Sequence, residues 1–286
     1  MTSSFKAACV QVTSGPDIEA NLAPTGDLIR RARDQGAELI TTPEVVGAII
    51  HGRQNTLART PAEADHPAIP YYAGLAKETG AWVLVGSLAV KLDETTLANR
   101  SYLMDPSGAI AASYDKIHMF DVDLAGGESY RESATYQPGN QAVVADLPWG
   151  RLGMTICYDM RFAYLYRALA KTGAQVITVP AAFTVPTGRA HWHVLLRARA
   201  IETGCFVVAA AQCGTHDNGR KTYGHSVIVS PWGEILAEAG EEPGVIVAEI
   251  DLTKVEDARR AVPSINHDQA FALPDVGFTH VDQAAE

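Results

Sequence analysis

Short apolar runs separated by helical stretches recur along the chain, and this alternation limits the possible fold more than any other feature. FKAACVQV (5–12), AELITTP (37–43), AWVLVGSLAV (81–90), RSYLMDP (100–106), RLGMTI (151–156), AQVITVPAAF (174–183), CFVVAAAQC (205–213) and GVIVAEID (244–251) read as strands. A DPSG turn leads to a further strand into ASYDK, and GHSVIVSPWGEILAEAG reads as a hairpin turning at Ser230–Gly233. Helices are expected over 17–35, with Pro24 and Gly26 disturbing its start, and over 68–80. Two more are expected over 161–171, closed by Gly173, and over 190–203, closed by Gly204. Many strands are near-continuous Val, Ile and Ala, as in strands buried on both faces. Such strands need helices to cover them, so the expected fold class is α/β. In sheets of this kind functional groups gather at strand carboxyl ends. No repeat, low-complexity stretch or Pro/Gly-rich linker divides the chain. Residues 1–275 are therefore expected to form a single domain, with 276–286 as a C-terminal tail.

The 286 residues carry a formal net charge of −10, which argues against nucleic acid and anionic membrane surfaces as partners. No run reaches the roughly 18 apolar residues of a membrane span. Met1 to Lys6 lacks a signal-peptide pattern, so a cytoplasmic location is expected. The four cysteines are too few and too scattered for a disulfide framework, and no CxxC pair points to zinc. Cys9, Cys205 and Cys213 sit in apolar runs as small buried hydrophobes do. Cys157 differs. It ends the run GMTIC and is followed at once by Tyr158-Asp159-Met160-Arg161, a polar, helix-starting segment.

Two other strand ends carry isolated reactive groups, Glu44 after LITTP and Lys116 after IAASYD. Each alone reads as an ordinary surface or capping residue. Together with Cys157 they form one chemical set: a thiol nucleophile, a carboxylate base and a cation for a developing oxyanion. A helix starting just after Cys157 adds positive potential, and the Tyr158 backbone N–H is a candidate oxyanion donor. A histidine base is the competing arrangement, with His118, His191, His193 and His225 among the nine histidines. The HWH at 191–193 puts two histidines at a spacing of two, which does not share a helix face, and no third ligand is apparent. Neither a metal nor a cofactor is expected.

With Glu44 in TTPE, Lys116 in YDKIHMFD and Cys157 in ICYDMRF, the chain resembles the carbon–nitrogen hydrolase (nitrilase) superfamily over about residues 5–273. AHWHVLLRARAIETGCFVVAAAQCG and YGHSVIVSPWG extend the match and look most like the Nit-type amidases, above all the branch acting on deaminated glutathione. The resemblance implies a four-layer αββα sandwich, a Glu-Lys-Cys triad, a thioester intermediate and pairing into homodimers or higher homo-oligomers. It also implies a second active-site glutamate. Glu128 and Glu132 compete for that place, and Glu132, seven residues before Gly139, suits the pattern better. Implied substrates are small carboxylate-bearing amides, hydrolysed to acid plus ammonia. Arg161 and Arg189 are the candidate carboxylate anchors, with Phe183 and Trp192 as candidate pocket walls. Arg161 reads equally well as a brace for the helix after Cys157. An ω-amidase acting on 2-oxoglutaramate, a nitrilase, an N-carbamoyl amino acid hydrolase and a catalytically dead binding protein remain as alternatives. Two departures from the Nit-type pattern stand out. His193 replaces the glutamate of AHWE, and Ala163-Tyr164 replace the Pro-Glu of RFPE.

Overall fold

Twelve of the strands build two six-stranded mixed sheets in the computed structural model, which describes residues 4–124, 127 and 129–271. Glu128 and the expected tail lie outside the described residues. The first sheet contains β1 (Ser4–Gln11), β2 (Leu39–Thr41), β3 (Trp82–Lys91), β4 (Leu97–Met104), β5 (Ile110–Asp115) and β16 (Gly244–Asp251), in the order β16-β1-β2-β3-β4-β5. The second contains β8 (Val143–Asp146), β9 (Arg151–Met154), β10 (Val176–Thr178), β11 (Phe206–Ala209), β14 (Val227–Val229) and β15 (Ile235–Glu238), in the order β15-β14-β11-β10-β9-β8. Two hairpins complete the strands: β6 (Asp121–Asp123) with β7 (Ser129–Arg131), and β12 (Cys213–Thr215) with β13 (Lys221–Tyr223). Each large sheet has a parallel centre, β1-β2-β3 in one and β9-β10-β11 in the other, flanked by antiparallel strands.

The helices are α1 (Ile18–Asp34), α2 (Arg53–Arg59), α3 (Ala68–Thr79), α4 (Ala163–Lys171), α5 (Val185–Thr203) and α6 (Thr253–Ala261). Alternation along β1 assigns the layers. Ala8 and Val10 pack with Ile29 of α1 and Tyr72 and Leu75 of α3. Phe5, Ala7 and Cys9 point the other way, into a core shared with Leu152, Val176 and Val207 of the second sheet and Leu169 and Leu196 of α4 and α5. The order is helices, sheet, sheet, helices, so the expected α/β class holds, with both sheets covered.

The element boundaries depart from the sequence reading at three places. Helix α1 starts at Ile18 and runs through Pro24 without a break. The Asp17 side chain accepts from Ala20 N at 3.0 Å to cap it, and burial of Ile29 and Ala32 offsets the one backbone bond that proline forgoes. Helix α5 begins at Val185 rather than 190, because extended Thr184 caps a first turn that accepts Pro186. The segment expected as one helix over 161–171 divides into a 3₁₀ turn, Cys157–Arg161, and α4.

The parallel ladder of the second sheet continues past the strands as single bonds, Thr155 N to Thr178 O at 3.2 Å, Cys157 N to Pro180 O at 2.9 Å and Ala181 N to Ala210 O at 2.8 Å. The apolar runs at 174–183 and 205–213 are therefore longer than the strands they contain. From the first sheet, Thr42 N donates to Leu84 O at 3.0 Å and Ser87 N to Pro43 O at 3.2 Å. Gly86 lies inside this crossing: a Cβ there would stand 1.9 Å from Thr42 O and 2.4 Å from Pro43 O, both backbone atoms that cannot swing aside. Gly86→Ala is expected to lower the free energy of unfolding by about 2–3 kcal/mol, read from urea denaturation, as overpacking against rigid neighbours does. An unchanged midpoint would show that the Thr42–Pro43 loop yields.

Candidate active site

Lys116, the first residue beyond β5, is 2% exposed, so its ammonium survives only with counter-charges in reach. Its Nζ donates to Glu44 Oε1 at 2.8 Å and to Glu132 Oε2 and Oε1 at 2.8 and 3.0 Å. Asn99, on β4, donates through one Nδ2 to the same two carboxylates, at 3.0 Å to Glu44 and 3.1 Å to Glu132. Glu132 Oε2 also accepts from Phe120 N at 2.6 Å, tying the residue before β6 to the turn after β7. Glu44 Oε2 accepts from Ala182 N at 2.8 Å. Two carboxylates from separate segments thus meet on one ammonium, and Asn99, Phe120 and Ala182 hold them there.

The Cys157 thiol faces the same cavity as Glu44 and Ala182, near enough for the Glu44 charge to act on it. Burial pushes the thiol well above its ordinary pKa, and the Glu44 charge adds to that, with Lys116 opposing. Burial alone would raise Glu44, but the Lys116 charge and its hydrogen bonds hold the carboxyl below its usual value. Burial would likewise lower Lys116, yet Glu132 and Glu44 together hold it well above the ordinary lysine value. At neutral pH the resting state is therefore a thiol beside an ionised carboxylate and a charged ammonium. A carboxylate in that position can take the thiol proton as the sulfur attacks, and the ammonium can balance an oxyanion.

Cys157 has φ 46°, a left-handed conformation that a residue with a Cβ adopts only when its surroundings hold it there. Asp159 supplies that hold. Its buried carboxylate accepts from Ile156 N at 2.9 Å, Tyr114 Oη at 2.7 Å and His118 N at 3.0 Å, and pairs with His118 Nδ1 at 2.7 Å. The turn carrying Cys157 is thereby tied to the chain carrying Lys116. Arg199 of α5 donates from Nε to Met160 O at 2.7 Å, fixing the turn from the helix side. The Tyr158 N–H opens this turn and has no partner among the described residues. Val45, next to Glu44, is also left-handed, at φ 46°.

A cavity of about 300 Å³ opens onto Glu44, Lys116, Glu132 and Cys157. Phe183 and Tyr158 form part of its wall, as do Phe120, Tyr136 and Arg220. The other expected substrate contacts do not line it. Arg161 lies over the rings of Tyr158 and Phe183, 5.8 and 5.5 Å from their centroids, with Nη2 3.3 Å from His191 Nδ1. It braces the wall from behind. Arg189 is exposed on α5, and Trp192 is wholly buried in the core with Nε1 donating to His225 O at 2.8 Å. The histidines weighed as alternative bases are engaged elsewhere. His118 stacks on Phe162 and bonds Tyr164, His193 pairs with Glu238 at 2.8 Å, and His225 stacks on Tyr223. The two unusual residues, Tyr164 and His193, therefore sit in supporting contacts outside the cavity wall.

Asn99, Asp159 and Arg220 escaped the sequence reading. A polar residue inside the apolar run LANRSYLM was the available signal for Asn99, and an acid two residues past the cysteine was the signal for Asp159. Arg220 gave none, because it lies in a polar turn, THDNGRK, where charged residues are ordinary.

The family model for carbon-nitrogen hydrolases matches residues 6–260. A deaminated glutathione amidase from Yersinia enterocolitica is 41% identical over 267 residues, covering 92% of each chain. The NitFhit protein of C. elegans, a solved structure, superposes with a TM-score of 0.87 at 37% identity, over 94% of this chain and 66% of that one. An amidase from Nesterenkonia sp. AN1, solved as a glutamate-to-glutamine mutant with the acetamide moiety of fluoroacetamide added covalently at its active-site cysteine, superposes with a TM-score of 0.77. It is 32% identical, over 90% of this chain and 94% of that one.

Two measurements follow from the geometry. Alkylation of Cys157 by iodoacetamide should keep rising with pH through the ordinary thiol range, without a plateau at about 8.5, because the folded pKa is raised. A plateau near neutrality would mean a preformed thiolate. Asp159→Asn should cost about 2–4 kcal/mol of stability in denaturant titrations, since an amide cannot accept from every donor that now converges there. Native stability in that variant would remove Asp159 from its bracing role.

Proposed function

This chain belongs to the carbon-nitrogen hydrolase family and is an amide-hydrolysing enzyme, and on that footing we propose that Cys157 is its nucleophile, Glu44 its general base and acid, and Lys116 with the Tyr158 N–H its oxyanion donors. The observation that carries this reading is one cavity that gathers a buried thiol, a carboxylate and the buried ammonium paired with that carboxylate at 2.8 Å. Glu132 positions Lys116 and keeps it charged.

In the first half-reaction the S–H proton passes to Glu44 as sulfur bonds the amide carbon, and the carbonyl electron pair moves onto oxygen. Lys116 has three N–H donors and two carboxylate partners, which leaves one for the oxyanion. As the oxyanion collapses, the C–N bond breaks and Glu44 returns its proton to the departing nitrogen. Water then attacks the thioester, losing a proton to Glu44, and the C–S bond breaks as Glu44 reprotonates the sulfur.

We assign the substrate class as small amides bearing a carboxylate, with deaminated glutathione first because the relatives at about 40% identity carry that activity in their names. Its scissile bond is a secondary amide, so the nitrogen product is an amine. The ammonia expected from the sequence applies only to primary amides such as 2-oxoglutaramate. We further place the enzyme as a homodimer in the cytoplasm, with residues 1–275 as one catalytic unit. Val194 and Ile201 are exposed on one face of α5, and Ile201 lines a surface pocket with exposed Trp232, which supports pairing through that side. Free Cys9, Cys157, Cys205 and Cys213 support a reducing compartment. No helix among the described residues is long and apolar enough to cross a membrane.

Intact-protein mass spectrometry during turnover of deaminated glutathione checks the mechanism. Wild type should release acid and amine in equal amounts and carry a transient acyl adduct, whereas Cys157→Ala should show neither product nor adduct. Turnover by Cys157→Ala at the wild-type rate would end the nucleophile assignment. Turnover by wild type of 2-oxoglutaramate, nitriles or carbamoyl amino acids in preference to deaminated glutathione would replace the substrate and keep the triad.

A further inference from the structure

The geometry points to Arg220 as the anchor for a carboxylate carried on the acyl part of the substrate, a specificity role that rests on the amidase reading above. Arg220 sits in the turn between β12 and β13 and lines the same cavity as Cys157. Its Nε is buried and has no hydrogen-bond partner, and no ion pair to a carboxylate engages it among the described residues. A buried guanidinium donor left unpaired is costly unless an incoming group satisfies it. The planar fork of arginine matches a carboxylate through two parallel N–H···O bonds.

The other cavity arginines are already engaged. Arg131 is paired with Asp123 at 2.9 Å, and Arg53 donates from Nε to Ala134 O at 2.7 Å and from Nη2 to Thr95 O at 3.1 Å. Arg220 is held in place by Nη2 donating to Ala182 O at 2.6 Å and by the Tyr130 ring, 5.5 Å from its Cζ. Ala182 therefore joins the two chemistries: its N–H serves Glu44 and its C=O serves Arg220. Because Arg220 and Glu44 meet the same residue, an anion gripped by Arg220 shares one small cavity with the carbonyl under attack, which suits a short acyl chain ending in a carboxylate, the monoamide of a small dicarboxylic acid. Glu44 and Glu132 outnumber Lys116 beside the thiol, so a substrate anion is better held at Arg220 than next to the carboxylates.

The test compares succinamate with butyramide, which replaces the carboxylate by a methyl group. The readout is the ratio of their kcat/KM values in wild type, Arg220→Met and Arg220→Lys. Arg220→Met should cut the ratio by roughly 10²-fold, beyond any loss the two substrates share, with KM for succinamate carrying most of it. Arg220→Lys should recover part of the ratio, since it restores charge without the fork. The rate of Cys157 alkylation by neutral iodoacetamide, together with the thermal midpoint, reports whether Arg220→Met keeps a folded site. A ratio unchanged in a folded Arg220→Met overturns the anchor and leaves the amidase reading standing. If wild type hydrolyses neither amide and forms no acyl adduct with either, the anchor is overturned, and turnover of deaminated glutathione by the same preparation decides whether the amidase reading stands.

Discussion

The buried Lys116 ammonium is the interaction on which the rest of the site depends. Removing a charge from water costs several kcal/mol per ion, and the cost is met here by two carboxylates in direct contact. Those carboxylates come from opposite parts of the chain, Glu44 beyond β2 and Glu132 beyond β7, and Asn99 cross-links them from β4. The site is consequently assembled only when the first sheet, its following hairpin and the loop after β10 are all in register. Losing either carboxylate would leave a buried cation short of a partner, a larger penalty than the net worth of the pair.

That arrangement sets the protonation states. The ammonium keeps Glu44 ionised against its own burial, and ionised Glu44 keeps the thiol protonated by adding its negative charge to the desolvation of the sulfur. In the proposed mechanism Cys157 rests as a thiol near its base, not as a thiolate, so charge is created only as the sulfur attacks, with Lys116 placed for the oxygen that receives it. The left-handed φ of Cys157 is held in place by Asp159 and by Arg199.

Selectivity is built from a different layer. The wall around the thiol is aromatic, and Arg161 stiffens it by lying over two of the rings. The residues that depart from the Nit-type pattern, Tyr164 and His193, act one contact further out, on His118 and on Glu238. Neither forms a hydrogen bond or ion pair with Glu44, Lys116 or Cys157 among the described residues.

The sequence by itself determined the α/β class, because strands that are apolar on both faces must be covered by helices, and it placed Glu44, Lys116 and Cys157, because an isolated reactive group at the end of a buried strand stands out from its surroundings. It also marked Cys9, Cys205 and Cys213 as buried hydrophobes, and all three are fully buried. Which arginine faces the cavity was decided only by tertiary structure. Arg161 is close to Cys157 in sequence, yet the 3₁₀ turn rotates it behind the wall, whereas Arg220 reaches the cavity from a distant hairpin. Asn99 and Asp159 acquire their roles the same way. Spacing along a chain encodes the direction of a side chain within one element, but not what two elements distant in sequence present to each other, and the decisive contacts of this site are of the second kind.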